Sequence, residues 1–170
     1  MPDKSKQCNG HTLTELLAML SIAAVIAAAA VPVFSNLLLE SRMNAAVSTA
    51  MHAVNLARQF SATRSEAIRL CGSVDERECS GRLDWSGGLL LAGDGDRFHQ
   101  SLLLSGESGT PSIRSNRSTI AFEGGSGFAT PATLTVCDRR GARAARAVIV
   151  SRSGRPRTSD RDGSDGALTC

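Results

Sequence analysis

The chain has 170 residues, 42% hydrophobic and 21% charged, and carries a formal net charge of +3. That composition excludes a disordered polyelectrolyte, and the length excludes a multi-domain enzyme, so one folded domain is expected. The apolar residues are unevenly spread: residues 16–39 form a 24-residue stretch without a charge, and no second run of this kind follows, which excludes a multi-pass transporter. As a helix this stretch spans roughly 36 Å, enough to cross a hydrocarbon core of about 30 Å.

At the N-terminus Lys4 and Lys6 precede the apolar run, and Ala28-Ala29-Ala30 offers small residues, a pattern that a secretory signal peptide would also give. Glu15 argues otherwise, because an acid at the mouth of the run gains a signal peptide nothing. Gly10-His11-Thr12-Leu13-Thr14-Glu15-Leu16-Leu17 instead resembles the type III signal of type IV pilins and pseudopilins. The resemblance implies cleavage after Gly10 by prepilin peptidase on the cytoplasmic side, with His11 as the first mature residue. It also implies methylation of the new amine, although His11 stands where the family carries Phe or Met and Thr14 where an aliphatic residue is usual. Glu15 takes the family's acidic fifth position. A carboxylate in the bilayer is costly unless paired, and the α-amino group of a neighbouring subunit's terminus, with a reference pKa near 8, is the implied partner that sets assembly register. The implied organisation is a leader at 1–10, a transmembrane and assembly half-helix at 11–39 and a head at 40–170.

Beyond the apolar run, Met43, Val47, Ala50, Met51, Val54, Ala57 and Phe60 recur three and four apart, which predicts an amphipathic helix. No glycine falls between His11 and Leu70, so one continuous helix is expected from the membrane stretch onto the head. Pro32 is its single breaker and reads as a kink. The segment 61–68 is expected as the fraying helix end, with Cys71-Gly72 as the stopping point.

From Gly72 onward, short apolar runs alternate with Gly, Ser and Asp, the pattern of a small antiparallel β domain. Strands are expected at 88–92, 97–104, 118–122, 133–137 and 144–151. The turns expected between them are Gly93-Asp94-Gly95-Asp96, Gly106-Glu107-Ser108-Gly109 and Gly124-Gly125-Ser126-Gly127. None of these glycine clusters is followed by Gly-Lys-Ser/Thr and a helix, so none reads as a phosphate loop. Trp85-Ser86-Gly87, followed by an aliphatic run and an Asp-rich turn, is similar to the head of the GspH/FimT family of minor pilins. The fold class implied is α+β: a long N-terminal helix packed on a small antiparallel sheet, as in type IV pilins.

Five cysteines are present. With Cys8 lost in a leader, four remain, consistent with two disulfides in an oxidising compartment. Spacing favours Cys71 with Cys79, closing a short loop, and Cys137 with Cys170, tying down the tail. Zinc is the competing reading, but there is no Cys-x-x-Cys pair, and His11, His52 and His99 are scattered. No cofactor or metal is expected, and no catalytic pattern such as Gly-x-Ser-x-Gly occurs, so an enzyme is not expected.

Of the 19 basic residues, 17 are Arg, and every one after Lys6 is Arg. A planar guanidinium matches phosphate geometry, although a GC-rich genome gives the same bias. Arg139, Arg140, Arg143, Arg146, Arg152, Arg155 and Arg157 occur with no intervening acid, raising local positive potential. Arg146 shares the parity of Val148 and Val150 and reads equally well as a strand-edge charge. Gly154-Arg155-Pro156-Arg157 is expected to hold two arginines out from a turn into water. It resembles the Gly-Arg-x-Arg motif of FimT-type minor pilins, which that family uses to bind DNA in natural transformation. The partners so implied are the DNA backbone, other major and minor pilins, prepilin peptidase and the inner membrane. The implied location is a single-pass inner-membrane protein with a periplasmic head, assembled into a pilus or pseudopilus. Two alternatives use the same leader and helix: a GspH-like pseudopilin of a type II secretion filament, and a minor pilin that only primes assembly. The Asp160-Arg161-Asp162-Gly163-Ser164-Asp165-Gly166 stretch fails as a calcium loop, because Asp165 takes the glycine position and the chain stops before the twelfth. It is expected as an acidic end able to fold back on Arg155 and Arg157.

Overall fold

A side chain starts the first element: Thr12 Oγ1 accepts the backbone N–H of Glu15 at 3.3 Å, the arrangement of a Thr-x-x-Glu helix start. Helix α1 then runs Leu13–Arg64. The computed structural model describes residues 12–93, 99–102 and 110–170. The leader with Gly10 and His11, the turns expected at 94–96 and 106–109, and the ends of the strand expected at 97–104 lie outside the described residues.

The chain divides into two units, Met1–Leu38 and Leu39–Cys170. In the first, α1 exposes its large apolar side chains, Leu16, Ile22, Val25 and Phe34 among them. The helix continues through Pro32, which removes one backbone donor from the ladder without ending it. Its most apolar window has a mean hydropathy of 2.5, long and apolar enough to cross a membrane.

In the second unit the rest of α1 buries Leu39, Met43, Ala46, Val47, Ala50, Ala53, Val54, Ala57 and Ser61. This is the expected stripe, with Met51 and Phe60 only partly covered. Four alanines on that face keep the seam narrow. The helix stops short of the sequence expectation, at Arg64, where Ser65 turns to φ 54°. Gly125 closes the end by donating its N–H to the Ser61 carbonyl at 2.8 Å.

The strands that follow are β1 (Ile68–Gly72), β2 (Leu89–Gly93), β3 (His99–Leu102), β4 (Ser112–Ser115), β5 (Thr119–Phe122), β6 (Ala132–Cys137), β7 (Arg146–Val150) and β8 (Pro156–Ser159). They form two four-stranded antiparallel sheets, ordered β3-β2-β1-β5 and β4-β6-β7-β8. Three strands correct the sequence reading. Ile68, at the edge of the expected fraying end, and residues 69–72, which include the expected stopping point, become β1, flanked by β2 and β5, because a short apolar run has no periodicity that separates helix from strand. β4, Ser-Ile-Arg-Ser, has one apolar residue and is a strand because it pairs with β6. β8 begins at Pro156, a residue tolerated at the start of an edge strand. The strand expected at 144–151 is shorter, since Ala142–Ala144 form a 3₁₀ turn.

The second sheet has two covered faces. Leu134, Val136, Val148 and Val150 join the α1 stripe in the main core, together with Leu70, Leu89 and Leu91 of the first sheet. On the opposite face Ala147 and Ile149 pack with Ala145, Cys137 and Leu168 of the C-terminal tail. The disulfides are Cys71–Cys79 and Cys137–Cys170, bridging 8 and 33 positions. The second fastens the tail over that outer face.

Trp85 is fully buried, and its indole N–H donates to the Arg82 carbonyl at 3.0 Å. Gly72 makes room for it: a Cβ there would lie 2.5 Å from Trp85 Cδ1 and 2.7 Å from Cγ. Gly72→Ala is expected to cost about 1–3 kcal/mol by overpacking, read as a lower midpoint in tryptophan-fluorescence urea melts. Replacing Cys137 and Cys170 together with Ser should remove about 3–4 kcal/mol of loop-closure stabilisation, read as a reduced guanidinium midpoint by circular dichroism.

Candidate nucleic-acid interface

Seven arginines adjacent in sequence are divided by strand β7, whose five residues extend about 13 Å between its first and last positions. One group lies where β6 ends and β7 begins, the other where β7 ends and β8 begins.

In the first group Arg140 donates from Nη1 to Glu40 Oε2 at 3.0 Å and from Nε to Asp138 Oδ2 at 2.8 Å. Its Nη2 lies 2.7 Å from the same Asp138 oxygen. Arg146, on the parity of Val148 and Val150, donates from Nη2 to Glu40 Oε1 at 2.7 Å. Two of the arginines read as phosphate contacts are thus held by carboxylates, and Glu40, on α1, is the residue that sequence adjacency could not supply. Arg139 and Arg143 are exposed.

Burial works to raise the Asp138 carboxyl, but hydrogen bonds from the Arg140 side chain and backbone, with the charges of Arg140 and Arg139, hold it below the usual carboxylate range. Arg140 is correspondingly held above its ordinary value, chiefly by its bond to Asp138. A depressed folded-state pKa gives stability that is present above the unfolded value and lost as pH falls through the folded one. The head is therefore expected to lose stability on acidification below about pH 4. Asp138→Asn should flatten part of that slope in urea midpoints measured from pH 6 to pH 2.5.

The second group is built on a tight hairpin. Gly154 N–H closes a turn on the Ser151 carbonyl at 2.9 Å, and Ser151 N–H donates to the Arg155 carbonyl at 3.1 Å. Ser151 Oγ also donates to that carbonyl, at 3.0 Å. Gly154 adopts φ 71°, and a Cβ there would collide with the Gly127 carbonyl oxygen and lie 3.0 Å from Arg58 Cδ, so only glycine fits. Arg152 and Arg155 are exposed on this loop. Arg157 is not on the turn as expected: it is a β8 residue, exposed and opposite Ile149. No ion pair joins Arg152, Arg155 or Arg157 to an acid among the described residues.

The tail acids do not reach this group among the described contacts. Asp162 Oδ1 accepts the N–H groups of Ser164 and Gly166, each at 2.8 Å, and Arg161 donates to the Asp165 carbonyl at 3.0 Å. The tail turns on itself.

Sequence reasoning missed two cations at this end. The stem of Arg58, from α1, lies against Gly127 and Gly154, and exposed Arg117 donates from Nε to the Pro131 carbonyl at 2.9 Å. Neither is near the arginine run in sequence. Glu15 lies in the first turn of α1. Among the described residues no group of three or more His, Cys, Asp or Glu is placed to hold a metal ion.

A long apolar helix whose C-terminal part packs on small antiparallel sheets is the type IV pilin fold. It resembles the crystal structure of the type IV minor pilin FimU of Pseudomonas aeruginosa in space group P21, with TM-score 0.52 and 16% identity over 80% of this chain and 97% of that one. For the P65 crystal form the TM-score is 0.49, with 15% identity over 77% and 98%. Residues 46–154 match the family model of the type II transport protein GspH, and the chain belongs to that family of pilin-like structural proteins. No curated protein matches it.

Proposed function

We propose that this chain is a minor type IV pilin whose head binds DNA without sequence preference, for DNA uptake in natural transformation and for pilus biogenesis. The apolar half of α1 anchors it in the inner membrane, with the head in the periplasm before assembly. Prepilin peptidase cuts between Gly10 and His11, and Glu15 sets register against a neighbouring pilin's amino terminus. The observation that carries the DNA reading is the hairpin of Arg152, Arg155 and Arg157, exposed and without acidic partners among the described residues. Arg152 and Arg155 on the turn and Arg157 on β8 are presented from a hydrogen-bonded backbone, so phosphate binding orders the side chains without also ordering the loop. Affinity comes from counterion release, so it falls steeply with salt, and contacts to phosphate carry no sequence information. One head binds weakly, and several along a filament bind by avidity.

A structural pseudopilin of a secretion filament is the second reading, favoured by the description of the matched family, type II transport. The two separate in one measurement. For the full chain in detergent, duplex binding followed by anisotropy across 50–300 mM salt should weaken about tenfold in Arg155→Ala/Arg157→Ala, with the log–log salt slope reduced by about two. Unchanged binding in the double variant would remove the site assignment. No binding by the unaltered chain would favour the secretion pseudopilin.

A further inference from the structure

Phe128 is half exposed, and both of its neighbours touch the arginine hairpin. The Gly127 carbonyl abuts Gly154, and Ala129 donates its N–H to the Arg152 carbonyl at 2.9 Å. The ring therefore leaves the backbone between two contacts with the cationic loop. Its own backbone is fixed as well: the N–H donates to Ser126 Oγ at 3.2 Å, and the carbonyl accepts from Glu123 N–H at 2.7 Å. The acid of this loop, Glu123, receives the Ser126 hydroxyl at 3.4 Å.

Other aromatics in the described head are committed elsewhere. Trp85 and Phe122 are fully buried, and Phe60 packs on the core beneath the Arg64 guanidinium. An apolar ring half open to water, on a loop that touches the arginine hairpin, suits a ligand that offers both a flat apolar face and phosphates. Duplex DNA buries its base faces in its own stack, whereas an unpaired strand presents them.

We propose that this end of the second sheet takes a DNA strand with unpaired bases, Phe128 stacking one base while Arg58, Arg152 and Arg155 meet the adjoining phosphates. The proposal rests on the DNA-binding reading above and adds the form of DNA and two residues to it.

The test uses the full chain in detergent and three labelled probes of equal charge: oligo(dT), an abasic strand of the same length, and a duplex. Phe128→Leu keeps an apolar side chain but no π face, and should weaken oligo(dT) binding about tenfold while leaving abasic and duplex binding within twofold. Phe128→Trp should restore oligo(dT) affinity. Arg58→Gln should lower the salt slope for oligo(dT) by about 0.7. Equal weakening on all three probes by Phe128→Leu, or no change on oligo(dT), would overturn the stacking role. Failure of the unaltered chain to bind any probe would instead overturn the DNA-binding reading itself, and the proposal with it.

Discussion

Burial of one face of α1 beneath two sheets is the constraint on which the head depends. Met43, Ala50, Val54 and Ala57 meet side chains from both sheets in one core, so neither sheet has a complete apolar face without the helix. Small side chains on that stripe are required by the geometry, because two layers converge on a single rod. The same burial decides where the helix stops: the glycine loop after β5 closes the Ser61 carbonyl, and the chain turns into β1.

That rod also sets the electrostatics of the second sheet. It delivers Glu40 to one end and Arg58 to the other, residues about 27 Å apart along a helix axis. At the first end the acid binds Arg140 and Arg146. At the second, Arg58 adds positive charge to a hairpin of arginines. A run that looks uniform in sequence thus becomes one end at which two of four arginines are paired with acids and another with no such pairing among the described residues. Ion pairs at half-exposed positions contribute little to stability, so the main consequence of the Glu40 contacts is which arginines stay available to a polyanion.

The C-terminal tail supplies the other half of the sheet's environment. Leu168 covers Ala147 and Ile149, and the Cys137–Cys170 bridge holds it there. Asp162 is engaged in its own turn, and no ion pair joins a tail acid to the hairpin among the described residues.

Local features of the chain were legible without coordinates. The helical stripe from Met43 to Phe60 follows from 3.6-residue periodicity, the strands around Leu90, Ile120, Leu134 and Val148 from apolar runs bounded by glycine, and the apolar N-terminal stretch from composition. Each depends on neighbours in sequence, which is what a pattern encodes. The strands β1, β4 and β8 escaped because their identity lies in the partner they pair with: Arg69 and Arg114 interrupt the runs, and Pro156 suggests a turn. The division of the arginines, the loss of Arg140 and Arg146 to Glu40, and the addition of Arg58, Arg117 and Phe128 to the opposite end were decided by tertiary structure alone. Charge and contact act through space, and residues far apart along the chain meet only after the helix and sheets have packed.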